Sequence, residues 1–463
     1  MSKERKGYEA KNAWLEMGED EREEVFAFNR GYADFLTENK TEREFAGASI
    51  EKLRKAGFKN IDEYKELKTG DKVYMVNRSR ALMAAVIGQK DLQEGLKIVG
   101  SHIDSPRLDL KPNPLYEDGE LAMFKTHYYG GVKKYQWVTM PLALHGVVVK
   151  EDGSEIELKI GEKEDDPIFF ISDVLPHLGK KQMEKKMSEG ITGEKLNVVI
   201  GSIPVNDEDT KEKVKTALLD YLEKEYDITG EDFVSADLQI VPAFKTRDAG
   251  FDRGLLAGYG HDDRVCSYTA LEAVLDINDP KYTAVVLLMD REEVGSMGST
   301  GMQSHFFEDQ VAEMVNLYYD NYSELLLRRV LQNSKVLSAD VNAAYDPDFA
   351  EVYAEHNSAY LGKGVVISKY TGSRGKSGAS EAGAEFMGEV RSLFNGAGVY
   401  WQIAELGKVD EGGGGTIAQF LANYNMDVVD CGPAVMSMHS PYEVVSKADV
   451  YHTYLGYSVF LEK

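Results

Sequence analysis

A chain of 463 residues with 43% hydrophobic and 10% aromatic side chains can fill more than one packed core, which excludes wholesale disorder and a disulfide-stapled miniature. Its 53 Lys and Arg against 78 Asp and Glu leave a net charge of −25, which argues against nucleic acid and anionic membranes as partners. Cys266 and Cys431 each lie in an apolar stretch and read as buried free thiols, not as a disulfide or a Cys-rich metal site.

The opening MSKERKGYEAKNAW is charged and has no apolar core, so no secretory signal is expected; no apolar run is long enough to span a bilayer, and the cytoplasm is the expected compartment. Val25, Phe28, Tyr32 and Phe35 recur at helical spacing, and Thr41 with Glu44 three residues later is a capping-box signature for the next helix. Residues 96–100 (LKIVG) read as a short strand. The texture changes over 109–247. Apolar residues at 142, 144 and 147–149, a turn at Asp152-Gly153 and alternating Ile156, Leu158 and Ile160 predict a hairpin. A charged stretch at 180–186 and an amphipathic helix carrying Val214, Leu218, Leu222 and Tyr226 follow. This middle segment reads as a β-rich domain inserted between 1–108 and 248–463. In the last segment, apolar strands at 284–289, 335–339, 364–367 and 427–431 alternate with helical patterns. The expected fold is α/β, a mixed central sheet flanked by helices, plus the inserted β-rich domain.

Four strand ends are followed at once by metal-capable side chains: His102 and Asp104 after LKIVGS, Glu292 and Glu293 after VVLLMDR, Asp340 after VLSA, and His439 after the 427–431 strand. Asp262 sits between a Gly-rich loop and a helix with Val265, Tyr268, Leu271 and Leu275 on one face. Open α/β sheets gather ligands at the carboxyl ends of strands, so these side chains can converge. Singly, each has an ordinary structural explanation; jointly, two His and three carboxylates form an N/O donor set suited to Zn²⁺ or similar ions. Five ligands suit two ions with one bridging carboxylate, for which Asp262 is the choice. His102 and Asp340 would complete one ion, and Glu293 and His439 the other. Glu292, beside a ligand but free of the metal, fits a general base, and Asp104 fits the carboxylate that orients a ligating imidazole.

The segments SHIDSPRLDLKP (101–112), GHDDR (260–264), EEVGS (292–296), SAD (338–340), GGTI (414–417) and MHS (438–440) resemble the aspartyl aminopeptidase and aminopeptidase I family of zinc metallopeptidases, in that family's motif order. The resemblance implies the same assignments: His102, Asp262, Glu293, Asp340 and His439 as ligands of two zinc ions per subunit, with Mn²⁺ or Co²⁺ tolerated, Glu292 as base and Asp104 as the carboxylate behind the ligating imidazole. It further implies that the inserted domain dimerises the chain, that dimers assemble into a tetrahedral dodecamer, and that peptides are the substrates. His177 would reach a neighbouring subunit's active site, while Gly415, Thr416 and Lys369 would contact substrate, with acidic N-terminal residues as the family's suggested preference. Asp263 departs from the Asn often found after the bridging Asp, which leaves the bridge open between Asp262 and Asp263.

Rival readings are a related metal-dependent carboxypeptidase or deacylase, and a non-catalytic assembly protein stapled by metal. TGSRGKSG (371–378) is not a P-loop, because Tyr370 stands where the first glycine is required, and GGGG (412–415) fails the dinucleotide fingerprint at Ile417.

Overall fold

The computed structural model describes residues 8–463; the first seven residues, on which part of the leader reading falls, lie outside the described residues. The chain separates into two compact units, one made of residues up to 105, 246–438 and 442–463, the other of 106–245 and 439–441.

The first unit is built on a nine-stranded mixed sheet among the described residues. Its strands run in the order Lys59–Asn60, Lys72–Asn77, Ala81–Val86, Thr283–Met289, Leu96–His102, Lys335–Ser338, Asp427–Gly432, Val365–Ser368 and Trp401–Ile403. Leu96–His102 lies between Thr283–Met289 and Lys335–Ser338 and is parallel to both, and Lys335–Ser338 is in turn parallel to Asp427–Gly432. Every residue of Leu96–His102 and of Thr283–Met289 is buried, as expected of central strands covered on both faces. The helices His261–Asp276 and Lys447–Glu462 contribute Val265, Leu271, Val274, Tyr457 and Phe460 to the core on one face. Phe307, Val311 and Leu331 of helices Phe306–Tyr318 and Glu324–Asn333 pack in a second cluster with Val285, Leu287 and Ile98. A five-stranded sheet completes this unit, in the order Arg247–Ala249, Leu255–Gly258, Glu443–Ser446, Ala434–Met436 and Asn342–Ala343.

The capping box at Thr41 forms, with Thr41 accepting from the Glu44 N–H and the Glu44 carboxylate accepting from Thr41 N–H. The hairpin Lys72–Asn77 and Ala81–Val86 is absent from the sequence reading. Its turn places Arg78 and Ser79 at φ +49° and +57°, so the usual Asn-Gly signal for a left-handed turn is missing. Both cysteines are free and buried.

The second unit holds a six-stranded antiparallel sheet in the order Glu155–Ile160, Leu142–Val149, Ala236–Pro242, Arg107–Asp118, Leu121–Tyr129 and Val198–Gly201. Helix Lys213–Tyr226 buries Val214 and Leu222. Outside this sheet, the stretch 168–187 exposes Ile168, Phe170, Leu175, Leu178, Met183 and Met187. No helix among the described residues is long and apolar enough to cross a membrane.

Candidate active site

The parallel register brings three strand ends level. Met289 is opposite His102, and Ser338 is opposite Gly100, so the turns that follow start from one edge of the sheet. The chain beyond Met289 enters a single helical turn, Glu292–Val294, through Arg291 at φ +68°. Asp262 and Asp263, joined by a cis peptide bond, begin the helix His261–Asp276. The residue that caps this helix must be glycine. Gly260 has φ +77°, and a Cβ there would lie 1.6 Å from Arg264 Nη2, in a guanidinium that donates to the carbonyls of Tyr259, Gly260 and Asn39.

These turns deliver six carboxylates around one imidazole. His102 Nε2 lies 3.4 Å from Asp262 Oδ1, 3.8 Å from Glu292 Oε2 and 3.9 Å from Asp340 Oδ1. His102, Asp262 and Glu293 offer ligand atoms within 4.8 Å of one another, and so do His102, Asp263 and Asp340. The two donor sets share His102. Glu293 thus groups with Asp262, and Asp263 groups with Asp340.

The supporting contacts explain why these side chains stay in place. Asp104 lies with Oδ1 3.3 Å from His102 Nδ1, and its carboxylate also accepts the backbone N–H of Glu292 at 3.1 Å and of Glu293 at 3.2 Å. One buried residue therefore fixes both the imidazole, with its carbonyl oxygen 3.0 Å from Nδ1 and its carboxylate beside it, and the Glu-Glu turn. Three further positioning groups went unread in the sequence. Ser105 Oγ donates to the Asp262 carbonyl at 2.7 Å, Ser267 Oγ to the His102 carbonyl at 2.7 Å, and the Glu443 carboxylate accepts the Asp262 N–H at 3.0 Å. Ser105 lies inside the SHIDSPRLDLKP segment without a role read for it, and Glu443 stands four residues after His439.

The electrostatics ask for a cation. Burial, then the charges of its neighbours, pushes the carboxyl of Asp340 well above its usual range, and burial does the same to Asp263. Burial pulls the His102 imidazole down, but Asp104, Asp262 and Glu292 together hold it well above its ordinary value. Imidazole plus carboxylate oxygens at this density is a donor set that fits zinc.

The other expected residues lie as follows. His439, in the second unit, has φ +65° and its Nδ1 is 3.0 Å from the Gly131 carbonyl oxygen. His177, also in that unit, is exposed between the exposed Leu175 and Leu178. Lys369 pairs with Glu381 at 3.5 Å and lines a cavity of about 930 Å³ with Met387, Arg391, Tyr400 and Trp401; none of the six carboxylates lines it. Gly415 is exposed, and Thr416, next to it, is buried with its hydroxyl donating to Asp430.

Residues 35–461 match the family model described as aminopeptidase I zinc metalloprotease (M18). A probable M18 family aminopeptidase 1 of Clostridium acetobutylicum is 54% identical over 457 residues, covering 98% of each chain, and one of Thermotoga maritima is 47% identical over 455 residues, covering 98% of this chain and 99% of its own. The crystal structure of an M18 family aminopeptidase from Thermotoga maritima superposes with a TM-score of 0.95 at 46% identity, over 99% of this chain and 100% of that one. That of aminopeptidase I from Clostridium acetobutylicum gives 0.93 at 50% identity, over 99% and 100%. The chain belongs to the M18 family of aminopeptidases, zinc metallo-exopeptidases that hydrolyse peptides.

Proposed function

We propose that each subunit uses two zinc ions at the strand-end clusters to release N-terminal residues from peptides, with Glu292 as general base. The observation that carries this reading is the crowding of carboxylates about one imidazole in two overlapping donor sets, His102–Asp262–Glu293 and His102–Asp263–Asp340, with Glu293 and Asp340 half-buried and the rest buried. His102, Asp262, Glu293, Asp340 and His439 are the proposed ligands, and the bridge falls to Asp262 or Asp263. Zinc held there would polarise the scissile carbonyl and lower the pKa of a water to about 7, chemistry that Mn²⁺ or Co²⁺ can also supply. Glu292, with Oε2 3.8 Å from His102 Nε2, faces the cluster and would take the proton from the attacking water and pass it to the leaving amine. Asp104 keeps Glu292 there through its backbone N–H.

Substrate contacts are assigned to Gly415, Thr416 and Lys369, and to His177 acting in a neighbouring subunit. For the first residue of the peptide we infer an acidic preference, with Lys369 and Lys376 as its cationic partners. Both now share Glu381, so an acidic side chain would compete with that carboxylate. We also propose cytoplasmic homo-oligomers, dimers built through residues 109–247 and assembled into a tetrahedral dodecamer. The exposed Ile168, Phe170, Leu175 and Leu178 around His177 support an interface there.

The test is release of free amino acid from unblocked dipeptides with acidic, neutral and basic first residues, by zinc-loaded and chelated protein, alongside metal analysis. The reading expects two zinc ions per chain and release that stops on chelation. No release by protein that holds zinc, or one ion per chain at full activity, would overturn it.

A further inference from the structure

Asp430 is a buried carboxylate in strand Asp427–Gly432 that the chemistry above does not use. In the sheet it is opposite Ser338 on one side and Ser368 on the other. Thr416 Oγ1 donates to Asp430 Oδ1 at 2.6 Å, and Ser338 also hydrogen-bonds the carboxylate. Ser338 Oγ lies 3.4 Å from Thr416 Oγ1, which in turn accepts the Ala418 N–H at 3.3 Å. One carboxylate thus joins two segments with different tasks. Ser338 ends the strand that leads into Asp340, two residues on, and Thr416 lies in the Gly-rich 412–417 loop. That loop presses closely on the sheet: a Cβ at Gly100 would be 3.1 Å from Ile417 Cδ1, so the loop fits over a strand position with no side chain.

Burial pushes the Asp430 carboxyl up to about 6, and the Thr416 and Ser338 hydroxyls work against that rise. No cation pairs with it among the described residues, so neutral hydroxyls alone support a buried acid. A buried acid that costs stability and ties a loop to a strand through two hydroxyls has a functional explanation more readily than a structural one.

We propose that Asp430 is a positioning residue for substrate binding. Through Thr416 it fixes the Gly415–Thr416 loop against the strand that carries Asp340, so that the wall receiving the peptide and the ligand-bearing turn keep one spacing. The inference rests on the reading of Gly415 and Thr416 as substrate-contacting residues.

The experiment compares zinc-loaded full-length wild type with T416V, T416S, D430A, S338A and the double variant D430A/T416V, measuring kcat and KM on the preferred dipeptide, zinc per chain and thermal midpoint. T416V and D430A are each expected to raise KM about tenfold while kcat changes by less than about threefold and zinc content stays constant. T416S, which restores the hydroxyl, should return KM to within about twofold of wild type, and S338A should raise KM about threefold, less than T416V does. The double variant should be no worse than the worse single variant, because both changes break one link. An unchanged KM in D430A, multiplicative effects in the double variant, or a fall in kcat that tracks lost zinc would each overturn the proposal. If T416V or D430A fails to fold, S338A decides: a KM equal to that of wild type overturns it. Wild type that holds zinc but releases nothing sinks the aminopeptidase reading and this inference together, whereas active wild type with unaltered variants sinks this inference alone.

Discussion

At the starts of the central strands, Lys97 and Lys335 share the carboxylate of Glu389, with Lys97 Nζ 2.9 Å from Oε1; at the ends of the same strands, Asp104, Asp262, Asp263, Glu292, Glu293 and Asp340 surround a single imidazole. Both places bury charge on one sheet, but only the first sets opposite charges side by side. Burial pulls the Lys97 ammonium down and Glu389 pushes it back, a staple in which both ammonium groups meet a carboxylate. At the other end the carboxylates raise one another, and folding leaves an excess of negative charge that a bound cation relieves. The difference separates a structural ion cluster from a metal site: the first is complete without a ligand, and the second is not.

The largest expected effect tests whether that second cluster does chemistry. Glu292→Gln keeps size and backbone position but cannot accept a proton, so kcat should fall by about 10²–10⁴-fold with zinc content unchanged. A variant that kept its activity would remove Glu292 from the base role and reduce the cluster to a staple.

Metal removal comes next. Chelation should abolish activity and lower the thermal midpoint, since zinc at a thousandfold excess over its Kd contributes about 4 kcal/mol to the folded state. The comparison predicts a reversal of sign at Asp340. Asp340→Asn should lower the midpoint of the zinc-loaded protein by removing a ligand, yet raise that of the chelated protein by removing one crowded charge. Midpoints of both variants in both states check this. An Asn variant that destabilises both states equally would mean that the carboxylates are not in conflict.

At the end where opposite charges meet, the same kind of change should behave differently. Glu389→Gln leaves Lys97 buried without its counter-charge, and a loss of about 1–3 kcal/mol in urea unfolding is expected, with kcat and KM within about twofold of wild type. Loss of activity in this variant would couple the two ends of the sheet and break the comparison.

How much of this was legible beforehand divides along the same line. The strands that carry the ligands are continuous apolar runs ending in Gly, Ser or Asp, so their ends, and His102, Asp262, Glu292, Glu293 and Asp340 with them, stand out in the sequence. Helix His261–Asp276 was legible from one apolar face, and the Thr41 capping box from its spacing. Long-range pairing is what local pattern does not carry. That Glu443 accepts the Asp262 N–H, that Asp104 holds the Glu292 turn, and that Glu389 meets Lys97 across 292 residues depend on which strands lie side by side. The hairpin at 72–86 escaped because Arg78 and Ser79 take the left-handed backbone that glycine or asparagine usually marks.

A third buried carboxylate lies between the two extremes and carries the smallest expected effect. Asp449, in the first turn of helix Lys447–Glu462, accepts the Gly362 N–H at 2.8 Å and the Gly364 N–H at 2.7 Å. Burial pushes its carboxyl from 3.8 up to about 8, with the two N–H groups pulling the other way. The folded state therefore favours the protonated acid. Its contribution to stability is fully present below about pH 4, where the unfolded chain is protonated too, and is lost as pH rises towards 8. Asp449→Asn is neutral at every pH but offers one acceptor oxygen in place of two, so it keeps only one of the two backbone N–H bonds. The variant should be less stable than wild type at pH 4, by on the order of 1 kcal/mol, and the gap should close or invert by pH 8. Urea midpoints at pH 4, 6 and 8 read this directly. A constant gap would mean that Asp449 is ionised throughout and that two backbone N–H groups suffice to hold a buried charge, in which case the crowding of the strand-end carboxylates, rather than their burial, is what calls for the metal.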